Sequence, residues 1–140
     1  MRTNNGKIGL LIFLLFLQLI INCGCQRHSG KKITDKELSV IESSCPKQMY
    51  PVNLYYLDGN CSFCLAKAKD FDDRNASNGV GSVIVFATSN PTMTKLYIQE
   101  IALRSCVMLD SSNTFVKSFT LNSRYEISAK GEVLSESADK

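Results

Sequence analysis

The residues of this sequence best suited to chemistry are two cysteines three positions apart, Cys61 and Cys64. Two thiols at this spacing can exchange with a disulfide of another molecule, because one thiolate attacks and the second displaces the product. The pair follows an apolar run over residues 54–57 and a short turn, and a charged pattern of helical period comes after it. A C-x-x-C between a strand and a helix is typical of a dithiol redox site.

The helix that follows predicts different roles for the two thiols. Cys61 falls in its first turn, where unpaired backbone N–H groups and the helix dipole favour a thiolate. We therefore expect Cys61 to attack a substrate disulfide, and Cys64, one turn further on and more buried, to resolve the mixed disulfide. Phe63 offers an apolar contact surface to a client, whereas Asp58 opposes thiolate formation slightly. The alternative is a structural disulfide in a non-catalytic domain that only binds a partner.

Strand and helix patterns alternate along the rest of the chain. Predicted strands cover residues 52–57, 80–87, 105–109, 124–128 and 132–134, and predicted helices cover residues 62–75 and a segment that starts at Pro91. The apolar face of the first helix contains Cys64, Ala68 and Phe71, with the charged residues of 67–74 outward, and that of the second contains Met93, Tyr97 and Ile101. The order predicts an α/β domain with a parallel core and a closing antiparallel hairpin.

The first 22 residues have the pattern of an export signal. Two basic residues precede an almost continuous apolar run over residues 8–21, which is too short for a comfortable membrane-spanning helix. An uncleaved signal anchor is the alternative. Residues 19–25 resemble a bacterial lipoprotein signal, in which a cysteine becomes the lipidated first residue of the mature chain. The resemblance implies that Cys23, or alternatively Cys25, carries a lipid anchor that holds the protein in the bacterial cell envelope, facing the periplasm.

These boundaries divide the chain into four parts. We expect a signal peptide over residues 1–22, a lipidated N-terminus and tether over 23–48, a folded domain over 49–136 and a polar tail over 137–140. Within the tether, Thr34 as cap and Glu37 three residues later predict a short helix. Removal of the signal takes away two of the 16 basic residues and none of the 13 acidic ones. The remaining charge of +1, without a basic tract, excludes a nucleic-acid-binding face.

Four segments of the predicted domain, residues 60–64, 82–89, 105–110 and 125–133, together resemble one family. The order of the predicted elements resembles the thioredoxin fold: a strand, a C-x-x-C at a helix start, further alternating strands and helices, and a terminal hairpin. The membrane-tethered TlpA/redoxin group of thiol–disulfide proteins is the nearest form. Over residues 52–134 the resemblance implies a thioredoxin-like three-layer sandwich with a central mixed sheet. It also implies a monomer that exchanges disulfides with protein thiols or a membrane redox partner and needs no cofactor.

The sequence departs from that family at three places. Asn60 stands where an aromatic residue usually precedes the first cysteine. Asn122 and Ser123 stand where the family has a cis-proline facing the dithiol, so the resemblance implies that they contact substrate together with Asn60 and Phe63. A cis bond without proline is costly, so we expect this loop to use another shape. Tyr55 stands where the cytosolic relatives carry a buried acid.

Cys45 and Cys106 are a second candidate pair. Export permits a disulfide between them, which would pin the tether to the domain. The alternative is an inert buried thiol at Cys106, because a sequence does not give disulfide connectivity. We expect no metal site, since structural zinc sites show two close cysteine pairs, and Cys45, Cys61, Cys64 and Cys106 contain only one. His28 is the one histidine, and its place in the tether excludes a Ser-His-Asp triad.

Overall fold

Five strands form one mixed sheet in the computed structural model, which describes residues 30–78 and 81–139. In chain order the elements are α1 (Asp35–Ser44), β1 (Val52–Asp58), α2 (Ser62–Asn78), β2 (Ser82–Ala87), α3 (Pro91–Ile101), β3 (Cys106–Asp110), β4 (Ser123–Ile127) and β5 (Val133–Ala138). The strand order is β3-β2-β1-β4-β5. Strands β1, β2 and β3 are parallel, and β4 and β5 add as the predicted antiparallel hairpin.

The central strand β1 is buried on both faces of the sheet. Val52, Leu54 and Tyr56 belong to one apolar core, while Tyr55 and Leu57 belong to the other. This division follows from the alternation of side chains along a strand. A strand between two covered faces needs apolar residues throughout, which is why the sequence reads as an unbroken apolar run.

Both long helices cover the same face of the sheet. Cys64, Ala68 and Phe71 of α2 lie in the second core as predicted, and Ile98 of α3 packs against it. The two crossovers β1-α2-β2 and β2-α3-β3 step in the same direction across the sheet. Right-handed crossovers that step in the same direction place their helices on the same side. On the other face lie α1 and the turn over residues 115–119, which completes the predicted three layers.

Helix α1 is part of the folded domain, so the prediction of a tether up to residue 48 is wrong for the described portion. Ile33 and Ile41 are each only 2% exposed in the first core. The predicted cap is present, because Thr34 Oγ1 accepts from the Glu37 N–H and Glu37 accepts from the Thr34 N–H in return. Glu37 is also buried and accepts from the Ser118 hydroxyl at 2.7 Å. A long-range polar contact of this kind has no local sequence signal.

The polar tail is also shorter than predicted. Strand β5 continues to Ala138, and the Asp139 N–H donates to the Asn122 carbonyl at 3.0 Å. The backbone of these polar residues pairs with β4, which compensates for their lack of apolar side chains. The predicted signal peptide of residues 1–22 and the lipidation candidates Cys23 and Cys25 lie outside the described residues. Within the described residues, no helix is both long and apolar enough to cross a membrane.

Asp72 on α2 requires a further correction, because its helical position predicts an outward side chain but the structure buries it completely. Its carboxylate accepts from the backbone N–H groups of Arg104 and Ser105, at 3.1 and 2.6 Å, and from the Ser105 hydroxyl at 2.6 Å. These donors belong to the segment that leads into β3. The carboxylate therefore fixes α2 to the start of β3.

Candidate dithiol site

The turn after β1 places the C-x-x-C against the end of β2. The Gly59 N–H donates to the Ala87 carbonyl at 2.7 Å, and the Gly59 carbonyl accepts from the Thr94 hydroxyl at 3.2 Å. A Cβ atom at Gly59 would lie 3.0 Å from the Cβ of Thr88 and 3.1 Å from the Ala87 carbonyl oxygen. A side chain here would crowd the end of β2, so glycine suits this close approach of the two backbones.

Asn60 is a loop-fixing residue in this structure. Its backbone N–H donates to Asp58 Oδ1 at 2.9 Å. Its own side-chain oxygen accepts from the Ser89 hydroxyl at 3.1 Å and from the Thr88 hydroxyl at 3.3 Å. These hydrogen bonds hold the turn in place. The Asn60 side chain is also exposed, so it can contact a client. Thr88 and Ser89 were not identified as site residues from the sequence.

The two thiols differ in exposure and in acidity. Cys61 is half-buried immediately before α2, whereas Cys64 is 3% exposed one turn further on, and both are free. A hydrogen bond with the Cys64 thiol, together with the backbone N–H groups of Cys64 and Phe63, lowers the pKa of Cys61 despite the nearby charge of Asp58. Burial, followed by the interaction with Cys61, raises the pKa of Cys64 to about 12. The outer thiol is therefore the better nucleophile at neutral pH.

Asn122 faces the dithiol from the loop before β4. The Cys64 thiol donates to Asn122 Oδ1 at 3.5 Å, and the Asn122 N–H donates to the Tyr56 carbonyl at 2.7 Å. The backbone is left-handed at this residue, with φ of +59°. Among the described residues the one cis peptide bond is Tyr50–Pro51, so the loop does take another shape than a cis bond. Ser123 is 1% exposed, and burial removes it from the predicted substrate contacts.

A carboxylate does lie near Tyr55, but it comes from the other end of the chain. The Tyr55 hydroxyl donates to Asp139, whose carboxylate also pairs with Arg124 at 3.0 Å and with Lys67 at 3.7 Å. Burial raises the pKa of Asp139, but the Tyr55 hydrogen bond and the two cations outweigh it and lower the pKa overall. Burial and the bond to Asp139 raise the pKa of Tyr55 to about 12. This arrangement could not be predicted, because Asp139 belongs to a segment read as tail.

A groove of about 400 Å³ opens beside Cys61, between the start of α2 and one side of α3. Met93 and Tyr97 line it, and each is more than 40% exposed. The prediction that they form the buried stripe of α3 is therefore wrong. Thr94 is buried instead, because its hydroxyl bonds to Thr88 at 2.7 Å and to Gly59. Phe63, on the outer side of the dithiol, is 67% exposed.

The second cysteine pair lies at the opposite end of the sheet. A disulfide joins Cys45, which caps the C-terminus of α1, to Cys106 at the start of β3, with their Cα atoms 5.9 Å apart. The dithiol follows the carboxyl end of β1, so the two pairs are far apart across the parallel strands. Over residues 30–78 and 81–139, no cluster of three His, Cys, Asp or Glu residues has the arrangement of a metal site.

Neither a family model nor a curated protein matches this sequence. Solved structures do match. A candidate thiol:disulfide interchange protein DsbE from Chlorobium tepidum has 15% identity and a TM-score of 0.50 over 62% of this chain and 66% of its own. A secreted Mycobacterium tuberculosis disulfide oxidoreductase, homologous to E. coli DsbE, has 16% identity and a TM-score of 0.54 over 66% and 72%. A candidate thioredoxin from Neisseria meningitidis has 17% identity and a TM-score of 0.52 over 80% and 73%.

These likenesses confirm the predicted fold. The protein has a thioredoxin-like α/β fold, with a five-stranded mixed sheet between helical layers and a C-terminal antiparallel hairpin. Thiol–disulfide oxidoreductases share this fold. At 15 to 17% identity the comparisons concern the fold alone, and the chemistry of this chain has to be argued from its own dithiol.

Proposed function

We propose that this protein is an exported, membrane-anchored thiol–disulfide oxidoreductase that exchanges disulfides with proteins through Cys61 and Cys64. The observation that carries the proposal is the asymmetry of the pair. The half-buried thiol of Cys61 has a lowered pKa at a helix start, and the thiol of Cys64 behind it is buried with a pKa of about 12. A structural disulfide has no need of such a difference, whereas two-step exchange uses it.

The exchange needs two displacements. The Cys61 thiolate attacks one sulfur of a client disulfide, which forms a mixed disulfide and releases the other client sulfur as a thiolate. Cys64 then gives up its proton, and its thiolate attacks the Cys61 sulfur. The mixed disulfide breaks, the Cys61–Cys64 disulfide forms, and the second client thiolate leaves. The client gains two electrons that the dithiol loses, and the reverse sequence oxidises a client dithiol.

The groove beside Cys61 supports a protein as the client. Met93 and Tyr97 expose apolar surface in the groove that contains the attacking Cys61, and Phe63 exposes more apolar surface two residues after it. Exposed apolar surface next to a concave site is suited to an extended segment of another chain. Asn60, at the rim of the groove, offers polar contacts to the backbone of such a segment. Asn122 contacts Cys64 from the loop before β4 and lies on another side of the dithiol.

Reduction of insulin tests the proposal. The full chain should accelerate insulin precipitation in the presence of a small dithiol, and Cys61→Ser should abolish the acceleration. Cys64→Ser should instead accumulate a mixed disulfide between Cys61 and insulin, visible by mass. Ser62→Ala, between the two thiols and without a sulfur, is the matched control and should retain the activity. An inactive unaltered protein would contradict the proposal.

A non-catalytic binding protein remains the second candidate. Tyr55 in place of a buried acid and the left-handed Asn122 in place of a cis-proline favour it, because both alter the surroundings of the dithiol. Its C-x-x-C would then be a stable disulfide with a reduction potential below about −300 mV. Equilibration of the Cys61–Cys64 pair with glutathione buffers separates the two candidates. A higher potential supports exchange and also gives its direction.

The membrane anchor is a separate part of the proposal. An apolar run followed by Cys23 and Cys25 supports a lipidated N-terminus in the bacterial envelope, with the domain facing the periplasm. Stable attachment needs two or more acyl chains, which a diacylated cysteine supplies. Palmitate labelling in bacteria should be lost in Cys23→Ala and retained in Cys25→Ala. The reverse result would assign the lipid to Cys25, and labelling unaffected by either change would exclude the anchor.

A further inference from the structure

Lys67 is held at the end of α2 that carries the dithiol. It lies three residues after Cys64, a spacing at which helical side chains are neighbours, and long helical side chains lean back toward the preceding turn. Its Nζ atom lies 5.4 Å from the centre of the Phe63 ring and 3.7 Å from Asp139 Oδ2. The side chain is only 24% exposed. The ammonium group is therefore held between Phe63 and Asp139, partly shielded from water, and its charge acts on Cys64 one turn earlier on the same helix.

Asp139 holds this ammonium in place from the end of β5. Its carboxylate is 15% exposed and also receives the Tyr55 hydroxyl and the Arg124 guanidinium. Its backbone N–H donates to the carbonyl of Asn122, the residue whose side chain accepts from the Cys64 thiol. The carboxylate is thus anchored on three sides. Lys67 has a rigid counter-ion rather than a mobile one.

We infer that Lys67, positioned by Asp139, is a positioning residue for the resolving step, in which it stabilises the thiolate of Cys64 as that thiolate attacks the mixed disulfide. This inference rests on the proposed function, because it assigns a role within the exchange.

The chemistry of the resolving step explains why a cation is needed there. The buried Cys64 must lose its proton to solvent before its sulfur can attack Cys61 and expel the client thiolate, and burial opposes that ionisation. The charge of Lys67 acts in the other direction. The charged and titratable groups around Cys64 and Lys67 are Cys61 just before α2, Asp58 and Tyr55 on β1, Arg124 on β4 and Asp139 after β5. Arg124 is engaged with Asp139 and the Tyr55 ring, so Lys67 is the cation closest to Cys64 in sequence and along the helix.

The reaction with dithionitrobenzoate isolates this step. All proteins are full chains with Cys23→Ser and Cys25→Ser, so that the dithiol alone supplies reactive thiols beside the intact Cys45–Cys106 disulfide. Attack by Cys61 releases one nitrothiobenzoate at a rate proportional to reagent concentration. Attack by Cys64 releases the second at a rate independent of it. The second phase therefore measures the thiolate fraction of Cys64 without any client protein.

We expect Lys67→Gln to slow the second phase roughly tenfold between pH 7 and 9, and to move its pH dependence upward by about one unit. The first phase should change less than about threefold, because its thiolate belongs to Cys61. Lys67→Arg should restore most of the second phase, because it keeps the charge. Lys69→Gln is the matched control, since Lys69 lies on the same helix but pairs with Asp73 at 2.7 Å. It should leave both phases unchanged.

The outcomes separate this inference from the proposed function. A second phase in Lys67→Gln within twofold of the unaltered rate, or an equal slowing in Lys69→Gln, overturns the role of Lys67 alone. Absence of any second phase in the protein with Lys67 intact overturns both, because Cys64 then does not resolve. Normal phases without insulin reduction overturn the proposed action on proteins and leave the role of Lys67 standing.

Discussion

The Cys64 thiol donates a hydrogen bond to the side-chain oxygen of Asn122 across 3.5 Å, although the two residues are 58 positions apart in the sequence. This contact joins the buried end of the dithiol to the loop before β4. The same loop is bound to β1 through the Asn122 N–H and the Tyr56 carbonyl. A residue that is not proline therefore closes the dithiol on this side, and its left-handed backbone makes that closure possible.

Replacement of Asn122 should reveal both of its contributions. Asn122→Ala should lower the free energy of unfolding by about 1–2 kcal/mol, because alanine tolerates a φ of +59° poorly and the Cys64 thiol loses its acceptor. Asn122→Gly should recover most of that loss, because glycine adopts the left-handed region without strain. Urea denaturation followed by fluorescence of the tyrosines measures the differences.

Asn113 provides the matched control for that comparison. It is exposed and has φ of +57°, so Asn113→Ala carries the same backbone cost without any contact to the dithiol. The excess loss in Asn122→Ala over Asn113→Ala then reports the side-chain contact with Cys64. Equal losses at the two positions would mean that the 3.5 Å contact adds nothing to stability.

The two thiols should alkylate at very different rates. The pKa of Cys61 is lowered, first by its hydrogen bond with Cys64, so its reaction with iodoacetamide should reach half its maximal rate below the ordinary thiol value of about 8.5. The pKa of Cys64 is about 12 because of burial. In Cys61→Ser, the rate at Cys64 should still be rising at pH 10. Mass spectrometry of the peptide that contains both residues gives the two rates separately.

The relative labelling rates of Cys61 and Cys64 at pH 7 test this prediction. The thiolate reacts and the thiol does not, so the order of labelling follows the order of pKa values. Labelling of Cys64 as fast as Cys61 in the reduced protein at pH 7 would contradict both the burial of Cys64 and the asymmetry on which the proposed exchange depends.

Asp72 should contribute to stability in a way that depends on pH. Burial raises its pKa, but hydrogen bonds from Ser105 and Arg104 outweigh that effect and lower the pKa overall. A carboxylate with a lowered pKa stabilises the fold above its unfolded pKa of about 3.9, and the contribution is lost as the pH falls through the folded value. At pH 7, Asp72→Asn should therefore reduce the free energy of unfolding by about 1–3 kcal/mol.

Asp73 is the neighbouring control for this measurement. Its side chain is 52% exposed and pairs with Lys69 and Arg104 at the surface, so Asp73→Asn should change stability by less than about 1 kcal/mol. Urea denaturation between pH 3 and 7 tests the sign, because the deficit of Asp72→Asn should shrink in acid. A deficit that is constant across this range would show that the carboxylate charge of Asp72 is not what matters.

The sequence predicted well those parts of the fold that depend on local patterns. Apolar runs identified β1 and β2, the Asn90-Pro91 pair identified the start of α3, and Thr34 with Glu37 identified the cap of α1. The place of Cys61 before a helix and the burial of Cys64 also follow from helical spacing. In each of these cases the residues that decide the structure lie within one or two turns of each other.

The failures concern contacts between residues that are distant in sequence. The α1 segment has few apolar residues, and the sequence predicts it as part of a tether. No local pattern indicates the contact between Glu37 and Ser118 at 2.7 Å that attaches it to the domain. Met93 and Tyr97 have the correct spacing for a buried stripe. However, the Thr94 hydroxyl forms buried hydrogen bonds with Thr88 and Gly59, and in this orientation of α3 Met93 and Tyr97 are exposed. Asp139 reaches Tyr55, Lys67 and Asn122 only because β5 pairs with β4. Contacts between residues so distant in sequence form only once the sheet has assembled.

The disulfide between Cys45 and Cys106 should hold α1 on the domain. It joins residues 61 positions apart, and a loop of that length corresponds to roughly 4 kcal/mol of chain entropy in the unfolded state. The double variant Cys45→Ala with Cys106→Ala should therefore lower the free energy of unfolding by about 2–4 kcal/mol, whereas Cys61→Ser with Cys64→Ser, which removes a pair three residues apart, should cost far less. Hydrogen exchange should show the greatest loss of protection in α1, because Ile33 and Ile41 are the apolar contacts that then hold it. Unchanged stability, with both thiols free to alkylate in the unreduced native protein, would exclude the disulfide.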